Sequence, residues 1–233
     1  MLAVESARAS RTRRGSRRMS AYRRYALAKR LLDLAICLAS LPIALLVMLV
    51  LATAIRIDSS GPAIFIQSRV GRGGRTFRMY KFRTLRKDYD DRNSRAFMQA
   101  FVRGKIGQDE HTGGLRLHKP TEGAQVTRVG RVLRATSLDE LPQLFNVLRG
   151  EMSLVGPRPN VPWEAKAYQI WHTERLEVLP GITGLAQVRG RSSIPFQRIA
   201  RYDIEYVRKR SLQLDLQILW WTVLAVLSGR GAG

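Results

Sequence analysis

The chain has 233 residues, room for one domain of ordinary size plus an anchor, and its 40 Lys/Arg against 18 Asp/Glu give a formal charge of +22. That charge calls for an acidic partner, whether nucleic acid, anionic lipid head groups or a phosphorylated substrate, and composition does not choose among them. One cysteine, Cys37, excludes an intrachain disulfide and suits a reducing setting, while His111, His118 and His172 lack metal-ligand spacing.

In chain order, residues 1–28 predict a disordered basic arm, with Tyr22 and Tyr25 suited to a lipid interface; an RNA-binding tail has the same composition. The 22 residues from Leu34 to Ile55 carry no charge. As a helix they are about 33 Å long, enough to cross the hydrocarbon of a bilayer. Both flanks are basic, however. Residues 1–30 hold ten Lys/Arg and one acid, Glu5, and eight Lys/Arg lie between Arg69 and Lys87 with no acid among them. Basic flanks prefer the cytoplasmic side, so a straight span would put one of them on the disfavoured side. A helix broken at Pro42, with the Ser40 hydroxyl satisfying a freed carbonyl, returns both to the cytosol. Re-entrance fits the charges best; a kinked span and a buried soluble helix remain the alternatives.

After a turn at Asp58-Ser59-Ser60-Gly61-Pro62, the segments Ala63 to Gln67 and Thr76 to Thr84 predict two strands joined around Gly71-Arg72-Gly73-Gly74. Residues 88–125 read as a polar loop with one short helix about Ser94 to Arg103. The stretch from Ser137 to Leu148 places Leu141, Leu144, Phe145 and Leu148 at i, i+3, i+4 and i+7, one face of a helix that Gly150 ends. Further helices are predicted over Trp163 to Val178 and Pro195 to Arg208. The ending LQLDLQILWWTVLAVL reads as a helix that either lies on a membrane or closes the core.

The sharpest chemical signal is Ser137-Leu138-Asp139-Glu140. Ser-x-x-Glu is also a capping box, in which Ser137 and Glu140 only satisfy backbone donors. Pro142 weakens that reading, because its ring would clash within the first turn; if Pro142 opens the helix instead, the two acids lie just outside it. In either case Asp139 is an anion near aligned N–H groups, able to ligate Mg²⁺ or to attack phosphorus. Arginines before and after the pair, with Gly156-Pro157-Arg158-Pro159 and Pro180-Gly181-Ile182-Thr183-Gly184, suit an anionic substrate. There is no Walker P-loop and no G-x-G-x-x-G.

Taken together, KRLLD, the apolar run, IDSSGPAIFIQSRVG, YKFRTL, VTRVGRVLRATSLDELPQLFNVLRGEMSLVGPRP, PGITGLAQVRGRSS and DIEYVRKRSLQLDLQIL resemble the bacterial sugar transferases of the monotopic phosphoglycosyl transferase superfamily, over nearly all of Lys29 to Gly231. The resemblance implies an α/β membrane-associated enzyme: a basic arm (1–28), a re-entrant membrane helix (29–57), and a catalytic domain (58–233) with an interfacial C-terminal helix, at the cytoplasmic face of the bacterial inner membrane. It implies transfer of a phosphosugar from a UDP-sugar to polyprenyl (undecaprenyl) phosphate, starting glycan assembly. Asp139 matches the nucleophile and Mg²⁺ contact, and Glu140 its catalytic partner. Arg134, Arg158 and Arg191 match phosphate-recognising arginines, and Lys81 falls in the strand beside them. Membrane lipids are then the acidic partner rather than nucleic acid, and a homo-oligomer is left open. The stretch RLEVLPGITGLAQVRGRSSIPF resembles the hexose-transferring members. Two departures stand out: Leu41 separates Ser40 from Pro42, where the family has Ser-Pro, and Glu122-Gly123-Ala124-Gln125 stands where an Asp-Pro-Arg stretch is common.

Overall fold

In a computed structural model of the protein, which describes residues 2–86, 92–104, 125–190 and 194–228, the apolar run lies within one long helix, α1 (Leu2–Asp58). The segment expected to be a disordered arm is helical in backbone from Leu2, consistent with its Ala and Arg content and the lack of proline before Pro42. The helix also continues through Pro42, so the break expected at Ser40 and Pro42 does not open a gap in it. A proline deletes one backbone donor, and two residues earlier Ser40 Oγ donates to the Cys37 carbonyl at 3.2 Å.

One stripe of α1, comprising Cys37, Ala44, Met48 and Ile55 at spacings of seven, four and seven, is buried in the core. The opposite side is largely uncovered: Ile43 is 72% exposed and Ile57 82%. Polar contacts tie both ends of this stripe to the same domain. Near the start, buried Asp33 accepts from Lys29 Nζ (2.8 Å), Ser153 Oγ (2.7 Å) and the Leu154 amide (3.3 Å). Buried Asp215 accepts from the hydroxyls of Tyr25 (3.0 Å) and Tyr206 (2.7 Å), with Lys29 Nζ 3.8 Å away. At the far end, Asp58 Oδ2 accepts from the Val129 amide at 3.0 Å, and the Arg83 guanidinium donates to the Ser59 carbonyl at 2.8 Å.

The expected hairpin forms from β1 (Ile64–Val70) and β2 (Thr76–Phe82), antiparallel, with Ile64 opposite Phe82 and Val70 opposite Thr76. Next come α2 (Arg92–Val102), which covers the short helix read from the sequence, and α3 (Arg128–Thr136). Most of the loop expected over 88–125 lies outside the described residues. After α4 (Gln143–Arg149), a second two-stranded sheet, absent from the sequence reading, pairs β3 (Ser153–Val155) in parallel with β4 (Gly181–Thr183). Its backbones come so close beyond Val155 that a Cβ on Gly181 would sit 2.1 Å from the Gly156 nitrogen, which accounts for glycine at both positions.

The helix expected over Trp163 to Val178 is instead α5 (Pro162–Ala165) and a 3₁₀ helix (Ile170–Glu177), interrupted where Gln169 is extended. The reason is tertiary: the Tyr168 hydroxyl and the Arg175 guanidinium both reach back to Asn160 Oδ1, at 2.7 Å each. After α6 (Leu185–Arg189), α7 (Phe196–Lys209) falls where the sequence put it. The last helix, α8 (Leu212–Leu227), closes the core with one face and leaves the other apolar face uncovered. Asp215 and Ile218 are buried in the core, while Leu216 and Trp220 face outward, 52% and 61% exposed. The architecture is thus mixed helix and sheet, with one long apolar N-terminal helix suited to membrane association.

Candidate active site

The carboxylate pair is presented by a turn, not by a helix start. Helix α3 opens on a Thr127 cap, whose Oγ1 accepts from the Gly130 amide at 2.9 Å, and closes at Ser137, whose φ of 58° is the only positive φ of a non-glycine among the described residues. A 3₁₀ turn, Leu138–Glu140, follows; Pro142 then leads into α4 at Gln143. The helix read from Ser137 therefore begins six residues later, as the ring of Pro142 requires. Ser137 makes no side-chain capping bond, and the Glu140 carboxylate turns elsewhere. The capping box is not formed.

Lys81, on β2, places Nζ 2.8 Å from Glu140 Oε1 and 3.7 Å from Asp139 Oδ2. Arg158, on the loop after β3, donates through Nη1 to the same Glu140 Oε1 at 3.0 Å. The Asp139, Glu140 and Lys81 side chains are 14–15% exposed, whereas that of Arg158 is 48% exposed and open to a ligand. Arg134, in the last turn of α3, donates through Nε to Thr84 Oγ1 at 3.0 Å and adds positive charge near Asp139. The structure therefore brings Asp139, Glu140, Lys81, Arg134 and Arg158 together; Arg191 lies outside the described residues. Ser40 and Pro42 belong to α1, where the Ser40 hydroxyl is hydrogen-bonded within the helix to the Cys37 carbonyl.

Their surroundings push the two acids apart. Burial raises Asp139 above the ordinary carboxylate range, against the pull of Lys81. Burial also acts to raise Glu140, but Arg158 and Lys81 outweigh it and hold that carboxyl down at about 2. Glu140 is thus a permanent anion tethered by two cations, and Asp139 is the more basic carboxylate, the one suited to attack an electrophile. The sequence reading missed Asn146. Fully buried on α4, it donates through Nδ2 to the Arg78 carbonyl (2.7 Å) and accepts at Oδ1 from the Tyr80 amide (3.1 Å), pinning β2 and hence Lys81 in register. A polar residue among the apolar positions of a short helix was the available signal.

Comparison with known proteins adds the family. The model described as bacterial sugar transferase matches residues 24–229. The chain belongs to that family. It is 42% identical over 215 residues to the UDP-glucose:undecaprenyl-phosphate glucose-1-phosphate transferase of Caulobacter vibrioides, covering 87% of this chain and 70% of that protein. It is 37% identical over 207 residues to the exopolysaccharide production protein ExoY of Rhizobium meliloti, covering 88% of each. Against the galactosyl transferase CpsE of Streptococcus agalactiae it is 40% identical over 207 residues, 88% of this chain, and spans 43% of that longer protein. As a member of this family the chain is a sugar transferase, and the acid pair with its cations is its candidate catalytic centre.

Proposed function

We propose that the protein transfers a phosphosugar from a UDP-sugar to undecaprenyl phosphate, the first step in building an exopolysaccharide or related glycan, through a covalent intermediate on Asp139. The observation that carries this reading is the split pair: Glu140 is held by Lys81 and Arg158, while Asp139 meets Lys81 only at 3.7 Å and keeps the higher pKa. An Asp139 oxygen attacks the β-phosphorus of the UDP-sugar, forming a P–O bond as the bridging P–O bond breaks and UMP leaves. A phosphate oxygen of the polyprenyl acceptor then attacks the same phosphorus, and the Asp139 carboxylate departs. Lys81, Arg134 and Arg158 offset the crowded charge.

The donor set fits Mg²⁺, which takes one or two carboxylates together with substrate phosphate oxygens and water. Asp139 offers such a carboxylate, and no cluster of three or more His, Cys, Asp or Glu occurs among the described residues to form a closed all-protein cage. Asp139 would hold the ion, which supplies charge neutralisation at the diphosphate. A hexose phosphate is the preferred cargo, supported by the glucose-1-phosphate and galactosyl transferases among the relatives. Release of UMP, assayed over a panel of UDP-sugars with undecaprenyl phosphate, tests the reading: a hexose donor should give ping-pong kinetics, and no release from any donor would reject it.

The proposed setting is the cytoplasmic face of the inner membrane, with α1 re-entrant rather than spanning. Support comes from the contacts at its ends: Tyr25 to Asp33 and Asp58 to Ser60 bind one and the same domain. Such a domain cannot face both aqueous compartments at once, since its polar surface would have to enter hydrocarbon. Cysteines placed before Arg30 and after Arg56, in a Cys37-free background, should label from the cytoplasm alone; labelling from opposite faces would reject re-entrance. Residues 1–28 should add affinity without chemistry, since each Lys or Arg near an anionic surface contributes about 1 kcal/mol. A variant trimmed to residues 23–233, which keeps Tyr25 and Lys29, is expected to leave membranes more readily in high salt at near-normal turnover in detergent.

A further inference from the structure

The loop that delivers Arg158 to the acid pair is held by a buried ion pair that makes no contact with the pair itself. All four carbonyls from Pro157 to Asn160 accept a hydrogen bond. Gly181 donates to Pro157 at 3.0 Å and Val70 to Asn160 at 2.8 Å, both through backbone amides. Arg175 Nη2 donates to the Arg158 carbonyl and Arg69 Nη1 to the Pro159 carbonyl, each at 3.0 Å. Arg175 is 3% exposed and its guanidinium is paired with Asp203 of α7, itself 1% exposed. Its other nitrogen donates to Asn160 Oδ1 (2.7 Å) and the Tyr168 hydroxyl (2.9 Å), and its plane lies against the rings of Tyr168 and Phe196, 5.6 and 5.7 Å from their centres.

A buried ion pair is a poor device for stability alone, because desolvation offsets most of its attraction, but its geometry is exacting. Here the exacting group is aimed at the backbone of Arg158, the one arginine among the described residues whose half-exposed head reaches Glu140. Arg158 has a proline on each side, so its own segment contributes few amide donors, and its direction is set from outside through its carbonyl.

We propose that Arg175, oriented by Asp203, is a positioning residue that aims the Arg158 guanidinium into the site by fixing the Arg158 carbonyl. Arg175 touches neither substrate nor reacting atoms. A lysine there keeps the charge but cannot donate to a carbonyl, an amide and a carboxylate in one plane.

This rests on the transferase reading, and the test separates the two. In a double-mutant cycle, Arg175→Lys should lower kcat for UMP release about 100-fold, the scale of a 1 Å misplacement at a reacting centre. In an Arg158→Ala background the same change should lower it less than about threefold, because the group being aimed is gone. Equal losses in both backgrounds would mean general damage and overturn the proposal. If Arg175→Lys does not fold, Asp203→Asn, which keeps the shape and removes the charge, takes its place in the cycle. Should the unmodified protein release no UMP, the transferase reading fails, and hydrogen exchange decides the positioning without substrate. Exchange at the Val70 and Gly181 amides, which donate to the Asn160 and Pro157 carbonyls of this loop, should rise in Arg175→Lys while α4 stays protected; unchanged exchange at both overturns the proposal.

Discussion

Asp139→Asn is expected to abolish both UMP release and the formation of a sugar-labelled adduct, yet to unfold no more easily than the unmodified protein at neutral pH. The first half follows from losing the anionic nucleophile while keeping its size. The second follows from the direction of its titration. A carboxyl raised by burial in the folded state contributes stability only while protonated, and that contribution is lost as pH rises through the folded pKa. Wherever Asp139 is ionised in the folded protein it is therefore a liability to the fold, and a neutral amide relieves it. Glu140→Gln behaves oppositely. Its carboxyl is held at about 2, so its stabilisation is present above the ordinary value of 4.5 and lost as pH falls through 2. The Gln variant should lose up to about 3 kcal/mol at neutral pH and still label slowly. Thermal unfolding beside adduct labelling separates the two; an Asp139→Asn protein with near-normal turnover would remove the nucleophile assignment.

The second large effect concerns the network at the base of α1. Lys29→Met leaves Asp33 and Asp215, 2% and 0% exposed, without their shared cation. Uncompensated buried charge of this kind destabilises by about 3–5 kcal/mol. Denaturant unfolding in detergent should show the loss, with α1 losing hydrogen-exchange protection at its start before the hairpin does. A loss below about 1 kcal/mol would show that the tyrosine hydroxyls alone suffice for Asp215.

Features whose cause is local were readable in the chain. The hairpin follows from two strand-like runs around Gly71 to Gly74, and the membrane-suited helix from 22 uncharged residues. The errors occurred where a distant partner decides. Ser137 and Glu140 have the spacing of a cap, but Glu140 is taken by Lys81, 59 positions upstream, so the acids stand on a turn. The helix drawn through Trp163 to Val178 is split by the reach of Tyr168 and Arg175 back to Asn160. At Pro42 a proline's local effect is visible in the sequence, whereas the packing of Cys37, Ala44 and Met48 on either side of it is not. The site residues themselves were legible as types near one another in sequence. Their division into a tethered acid and a basic one needed the strand that carries Lys81.

The polar ties of α1 also set an order on the making of the protein. Lys29 and Asp33 can pair within one turn as soon as they are synthesised. The hydroxyl of Tyr25, by contrast, meets a carboxylate 190 residues further along, and Asp33 meets Ser153 across 120. The apolar helix can therefore be taken up by lipid early, but it cannot be seated until α8 has left the ribosome. Until then the nascent chain holds its anchor loosely, and a ribosome stalled before Asp215 should carry a helix whose bare stripe of Cys37, Ala44 and Met48 is open to chaperones and proteases.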